Sequence, residues 1–337
     1  MKHRVFLLFT FYFLFVSCHQ EQTSVSPEEQ AREDSLALHV AVVPVMDCLP
    51  IYYADHIGMF AQAGLSIRLQ EHLSQMDSET ALRNGDAEVA YTDIARILEL
   101  QGDSATFRII MGMRGRTSLV AARSKRIRSL KHLKERMVAL DRLSAADYWS
   151  DKVMQKAGLD QADIYRPQIN DLRLRTSMLK EALVDAALLP EPYATQAERA
   201  GNPRLFTSND SVRLFTGMAI AVCSLRDSMR TAQISRFVRV YNMAVEEINQ
   251  RPDTKALQTI LHQAYALPTE IADSVKIPVY AKATLPSDKD ADLVQQWLYQ
   301  RERKIRQSAR DSLFYRQFLP ESQGQQVPCT TSRHSSN

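Results

Sequence analysis

Apolar residues along the chain fall into short strand-like runs set between stretches of helical spacing. Leu38-His-Val-Ala-Val-Val-Pro44 is a brief apolar strand, closed by a turn through Met46-Asp47-Cys48-Leu49-Pro50. Ile51 to Phe60 then places Ile51, Ala54, Ile57 and Met59 or Phe60 at helical intervals before Gly64. Leu65 to Leu69 alternates as a second strand. Strand, helix and strand within about thirty residues make a βαβ unit, which predicts parallel pairing.

The same grammar recurs downstream. Ser78 to Arg83 ends a helix stopped by Asn84-Gly85, Asp86 to Tyr91 is a strand, and Thr92-Asp93 sits where the helix Ile94 to Leu100 must be capped. Phe107 to Met113 and Ser118 to Ala122 read as strands, as does Met137 to Leu140. Ser144 and Asp147 have the spacing of a capping box, and the helix they open runs through Trp149, Val153 and Met154 to Gly158. Thr176 to Leu183 is helical, Val184 to Leu189 a strand, and Pro190-Glu191-Pro192-Tyr193-Ala194 opens another helix. Ala81 to Asp93 and Met178 to Glu191 share one plan: helix, Asp-Ala, apolar strand, then an acid at the next helix mouth. Two α/β lobes on one design explain it. After a strand at Leu214 to Cys223, helices are expected over Ile234–Asn249, Lys255–Tyr265, Ile271–Val275, Asp288–Arg306 with Asp288 as cap, and Ser308–Phe318.

The ends place the protein in a compartment. Lys2 and Arg4 precede a nearly continuous apolar run from Val5 to Val16, the layout of a secretory signal. The run is short of the roughly 20 residues that span a bilayer. It ends in Phe15-Val16-Ser17-Cys18, which resembles a bacterial lipobox with phenylalanine where leucine is usual. That resemblance implies cleavage before Cys18 and a lipid on its thiol, anchoring the protein on the periplasmic side of a bacterial cell envelope. The polar stretch 18–37 reads as a tether with too little apolar surface to order itself, and 320–337 as a loose tail. Roughly 280 residues lie between them, enough for two lobes. The net charge of +3 falls to +1 once Lys2 and Arg4 are removed. The cluster Arg123, Lys125, Arg126 and Arg128 is short, and nothing suggests a nucleic-acid partner. Cys48, Cys223 and Cys329 show no metal or CxxC spacing; Cys48 and Cys223 could pair or remain thiols.

Open α/β sheets bind ligands beyond the carboxyl ends of their strands, where helix N-termini carry partial positive charge. That rule collects Asp47, Tyr52, Tyr53, Tyr91, Thr92, Asp93, Arg114, Arg116, Ser144, Tyr148, Trp149, Glu191 and Tyr193. Tyrosines at loop-to-helix junctions offer flat walls, and the acids and hydroxyls offer oriented polar contacts. Each residue also has a structural role to fill: Ser144 and Thr92 as caps, Trp149 as core, Tyr52 and Tyr53 as packing under the first helix. No dinucleotide or P-loop glycine pattern, GxSxG elbow or HExxH occurs, and His39, His56, His72, His132 and His262 have no ligand spacing. The reading is a binding protein without catalytic residues, cofactor or metal.

Leu49-Pro-Ile-Tyr-Tyr-Ala-Asp-His-Ile-Gly-Met-Phe-Ala-Gln-Ala-Gly-Leu65 resembles the opening of the NMT1/THI5-like and sulfonate/nitrate-binding group of periplasmic solute-binding proteins. Ala81 to Asp93, Ser129 to Leu140, Lys156-Ala-Gly-Leu-Asp160 and Val184 to Tyr193 resemble it in the same order, over roughly residues 38–225. The resemblance implies an α/β, two-lobed type 2 periplasmic-binding fold with mostly parallel sheets, two crossover strands and a helical C-terminal region. It places lobe 1 at 38–120, lobe 2 at 121–213 and the return to lobe 1 at 214–319, with crossings at Ser118–Ala122 and Leu214–Cys223. It also implies a monomer serving an ABC permease, with cleft positions at Asp47 to Pro50, Thr92, Asp93, Ser144, Ala145 and Glu191. Two departures stand out. The family's glycine is missing from Lys180 to Asp185, and Asp47 would repel an anion unless Arg114 compensates. The acids and aromatics therefore favour a flat, donor-bearing or cationic solute such as a thiamine-precursor-like pyrimidine, with sulfonate or nitrate as the alternative. An enzyme of pyrimidine chemistry, with His56 as its nearest proton carrier, and a sensor with a vestigial cleft are the other classes.

Overall fold

The computed structural model describes residues 26–101, 106–208, 214–302 and 313–319. The expected leader, Cys18, the start of the tether and the tail from Pro320 lie outside the described residues, as does Cys329. Within the stretch expected to stay unordered, α1 (Pro27–Leu36) is helical. Proline at a first helical position carries a φ already set for the helix. α1 forms a unit apart from the body that begins at Ala37.

The body opens with β1 (Leu38–Val42), α2 (Leu49–His56), α3 (Met59–Gln62) and β2 (Ile67–Glu71). The one helix expected over Ile51–Phe60 breaks at Gly58, whose φ of 75° suits a residue without a β-carbon. α4 (Gln75–Asn84), β3 (Val89–Asp93), α5 (Ile94–Leu100) and β4 (Phe107–Gly115) follow. The chain then builds β5 (Thr117–Ala121), β6 (Val138–Ala139), α6 (Ala145–Lys156), α7 (Leu172–Lys180), β7 (Ala186–Pro190), α8 (Tyr193–Arg199) and β8 (Arg204–Thr207). It returns through β9 (Leu214–Ala221) to α9 (Ser228–Gln250), α10 (Lys255–Gln263), α11 (Thr269–Ala272) and α12 (Asp288–Glu302).

Two sheets result, ordered β2-β1-β3-β9-β4 and β6-β7-β5-β8. They are mixed rather than mostly parallel. β1 runs parallel to β2 and β3, and β6 to β7, but β9 is antiparallel to both neighbours and β5 to both of its own. The reason is topological: β5 and β9 are the strands that arrive from the other sheet, so each enters from the cleft edge and runs against its neighbours. The first crossing is therefore the link from Gly115 to Thr117, earlier than Ser118–Ala122, and the chain is back in the first sheet from Leu214, where β9 starts. We call the first sheet with its helices lobe 1 and the second lobe 2.

β9 also dictates a glycine. A β-carbon on Gly217 would stand 2.3 Å from the Met111 carbonyl oxygen, where β4 bulges between Ile109 and Met111. β8, four residues long and half-buried throughout, has no counterpart among the strands expected from the pattern. The helix expected over Ser308–Phe318 is absent from its described part, where Phe314 instead bridges to Ile109. Ser287, rather than Asp288, caps α12: its hydroxyl accepts the Asp290 N–H at 3.2 Å.

One apolar cluster runs through both lobes. It joins Leu38, Val40, Phe60 and Phe237 of lobe 1 to Leu172, Leu179, Leu189 and Tyr193 of lobe 2. Phe60 and Phe237 stack at 5.7 Å. Cys48 is buried, Cys223 exposed, and both are free thiols.

Candidate functional site

The strand ends of lobe 1 and the helix mouths of lobe 2 meet, and the cleft between them is shut. Met46 N–H donates to the Glu191 carbonyl at 3.0 Å, and Leu172 N–H to the Leu73 carbonyl at 3.3 Å. At the rim Arg173 pairs with Glu71 at 3.3 Å. Deeper in, Ala145 N–H donates to Asp93 Oδ2 at 2.9 Å.

Asp47 and Tyr91 form the first cluster. Asp47 follows β1 on a short 3₁₀ turn and stays half-buried. Its Oδ2 accepts the Tyr91 hydroxyl at 2.9 Å and the Thr216 hydroxyl at 2.6 Å. Burial pushes its carboxyl above the usual range, and those two hydroxyls only partly offset it. Among the described residues no guanidinium acts on it: Arg114 is exposed on β4, across from Phe215, and is not the compensating cation an anion would need. Tyr265 and Tyr280 close over the same turn, donating to the carbonyls of Val45 and Met46 at 2.7 and 2.8 Å.

The second cluster centres on Asp93. It caps α5 through Oδ1, which accepts the Arg96 N–H at 2.9 Å, while Oδ2 takes Gln75 Nε2 at 2.7 Å as well as Ala145 N–H. Behind it lies Glu79, 2 % exposed, accepting from Thr92, Gln75 and Arg96. Burial first, then the Asp93 charge, raise the Glu79 carboxyl to about 7 against the pull of Arg96. Burial also raises Asp93 and Asp141, the latter facing both Arg175 and the Asp93 charge. Arg175 is 1 % exposed and fully employed, donating to Asp141 and to the carbonyls of Ile169 and Leu188. The mouths thus hold Asp47, Glu79, Asp93 and Asp141 against Arg96 and Arg175, an excess of acid.

The remaining expected residues divide. Tyr52 joins the cleft, its hydroxyl donating to Glu71 at 3.4 Å and its ring tilted on Tyr265. Tyr193 is buried among the same aromatics, with its hydroxyl raised to about 12, chiefly by burial. Ser144 is a cap, accepting the Asp147 N–H at 3.2 Å, and Thr92 is sealed inside lobe 1. Tyr53 points away, donating to Glu247 of α9 at 3.1 Å. Tyr148 packs edge-on against Trp297 of α12. The Glu191 carboxylate turns to Arg204 and Thr195, leaving only its carbonyl at the cleft. Trp149 is core beside Phe206. Thr216, Gln75, Glu79 and Arg175 were missed. Thr216 had a signal: it is the polar residue in an apolar strand, and pairing sets it between Asp93 and Met113.

A groove of about 940 Å³ lies elsewhere, lined by Met137, Arg142, Ile164, Tyr165 and Arg166 of lobe 2 and by Arg301 of α12, among others. No described group of His, Cys, Asp and Glu could hold a metal, and no described helix is long and apolar enough to cross a membrane.

Residues 46–255 match the NMT1/THI5-like family. No curated relative matches the chain in sequence. Among solved structures, the alkanesulfonate-binding protein SsuA from Xanthomonas axonopodis pv. citri, bound to MOPS, superposes with a TM-score of 0.70 at 15 % identity, covering 83 % of this chain and 98 % of that one. The periplasmic nitrate-binding protein NrtA from Synechocystis PCC 6803 gives 0.72 at 11 % identity, over 87 % and 90 %. The desulfurization enzyme DSZB gives 0.64 at 14 % identity, over 86 % and 99 %, so the fold is shared with an enzyme. The family match spans the turn of Asp47, both crossings and the start of α10, and the chain belongs to the NMT1/THI5-like family, with the α/β fold of the periplasmic binding proteins.

Proposed function

We propose that this chain is the substrate-binding lipoprotein of an ABC importer. Anchored through Cys18 on the periplasmic side of a bacterial envelope, it captures a small solute between its lobes as a monomer and passes it to a permease without turning it over. The solute is flat and donor-bearing or cationic, of the kind of a thiamine-precursor pyrimidine. The observation that carries this is Asp47: a carboxylate at a strand mouth, held by two hydroxyls, with Tyr91, Tyr265 and Tyr280 around its turn. Such a group accepts hydrogen bonds from an amine or aminopyrimidine and repels a sulfonate. Binding without chemistry is supported by the likeness to binding proteins such as SsuA and NrtA, while His56, the proton carrier expected nearest the cleft, is exposed at the end of α2. The residues expected to touch the solute are Asp47, Tyr52, Tyr91, Asp93, Ala145 and Tyr193.

Titration calorimetry of the purified protein with an aminopyrimidine, an alkanesulfonate and nitrate tests this. Saturable heat with the pyrimidine alone is expected. Saturable binding of sulfonate or nitrate with none of the pyrimidine would overturn it.

A further inference from the structure

Two helices from different lobes direct their N-termini at one carboxylate. α5 of lobe 1 offers Arg96 N–H to Asp93 Oδ1, and α6 of lobe 2 offers Ala145 N–H to Oδ2, each at 2.9 Å. Gln75 Nε2 adds a donor at 2.7 Å, and Asp93 is 1 % exposed. A cap needs only one of these oxygens, because serine, threonine or asparagine would close α5 equally well. The second oxygen reaches across the cleft. There it has the charge, burial and donors that an anion gripped by both lobes would have.

We propose that Asp93 is an internal anion: its side chain closes the lobes on each other without a solute and keeps external oxyanions off the N-terminus of α6. The charges facing it are Glu79 from α4, Arg96 from α5, Asp141 after β6, and Arg175 from α7 through Asp141. An arriving oxyanion would have to displace Asp93 and then sit beside Asp141 and Glu79. A donor-bearing solute has the opposite experience, because it can take over the Asp93 oxygen that Ala145 N–H now holds. The inference rests on the cleft reading for its location only. It needs no knowledge of the natural solute.

Asp93→Ser tests it. Serine still caps α5 but is too short to reach Ala145, so the α6 N-terminus is freed. Calorimetry with sulfate, methanesulfonate and nitrate should show no binding to the native protein at millimolar concentration, and at least a tenfold gain in affinity for one of them in the variant. Small-angle scattering without solute should show the variant with a larger radius of gyration. Adding Ala145→Pro removes the donor. Proline is tolerated at a first helical position, and Ser144 is already extended (φ −105°, ψ 172°), so α6 persists while the acquired anion binding disappears. A cooperatively folding Asp93→Ser that binds no anion and stays as compact as the native protein overturns the proposal. Should that variant not fold, Asp93→Asn decides. Its amide can accept from only one of the two N-termini, so a wider particle supports the internal anion and an unchanged one refutes it. Pyrimidine binding by the native protein is independent of these outcomes, so this inference and the proposed function can fail separately.

Discussion

Two pairs of aspartates, buried except for the half-buried Asp47, behave in opposite ways. Asp147 and Asp151, on α6, meet Arg166 and Arg301 in a closed ion cluster. Arg166 contacts both acids at 2.5 Å, and Arg301 contacts them at 3.0 and 2.7 Å. Trp297 and Gln161 each add a hydrogen bond to Asp151 at 2.7 Å. Asp47 and Asp93, at the strand mouths, have no such cations on their oxygens; hydroxyls, an amide and backbone N–H groups hold them. The first pair joins α6 of lobe 2 to α12, which packs on α5 of lobe 1. Its charge is spent inside the protein. The second pair has no guanidinium on its oxygens, so a donor on a solute can take them over. Buried acids therefore do not mark a site by burial alone; the identity of their partners separates fastening from recognition.

The largest expected effect breaks the fastening. Arg301→Met leaves Asp147, which is 0 % exposed, and Asp151 facing a single guanidinium. Removing one partner of a buried pair costs roughly 3–5 kcal/mol. Denaturant unfolding of the variant should show that loss, and a loss below about 1 kcal/mol would mean the cluster carries no more than an exposed ion pair. The cluster is no surplus of stability even when intact. Burial holds the Asp147 carboxyl above its usual range despite both arginines, so its value is the register it imposes between α6 and α12.

The next effect is a pH dependence of the mouth. Glu79 lies behind Asp93 with its carboxyl raised from 4.5 to about 7. Between those values the native protein holds a proton that the unfolded chain releases. Its contribution is fully present below pH 4.5 and is lost as pH rises through about 7. The span corresponds to something on the order of 3 kcal/mol. Stability measured from pH 4.5 to 7.5 should therefore slope downward at this group, and Glu79→Gln should flatten the slope. An unchanged slope in the variant would assign the dependence to Asp93 or Asp141 instead.

What the sequence made legible follows from what is local. The Gly85 stop, the Ser144 cap and the Asp93 cap each depend on residues within one turn and stand where the pattern put them, although Asp147 accepts from Leu143 N–H instead of completing a capping box and the Glu191 carboxylate turns to Arg204. Sheet direction was less legible, because β5 and β9 look like any apolar strand until one knows which sheet they enter. The Arg166–Asp147–Arg301 cluster was not legible. Arg301 lies 154 positions from Asp147, and no periodicity announces such a pair. Tyr53 and Tyr148 were assigned to the cleft by adjacency, yet a helix sends successive side chains to different faces. Theirs are the faces turned to α9 and α12. Asp93 was singled out as a site acid, but its bond to Ala145 joins lobes 52 residues apart and could only be seen folded.

The smallest effect on stability sharpens the comparison most. Asp47→Asn removes a charge that no arginine answers, while its amide oxygen can still accept from Tyr91 or Thr216. Burial already disfavours the native carboxylate, so losing its charge relieves a cost as it weakens two hydrogen bonds. The two nearly cancel, and thermal unfolding should move by no more than about 1 kcal/mol either way. Affinity for a cationic or donor-bearing solute should fall much further, by roughly 10- to 100-fold, the worth of a hydrogen bond to a charged group. Arg301→Met should do the reverse, lowering stability while leaving affinity in the folded fraction near native. If Asp47→Asn instead unfolds the protein, Asp47 belongs with Asp147 and Asp151 as a fastening, and its freedom from arginines carries no information about the solute.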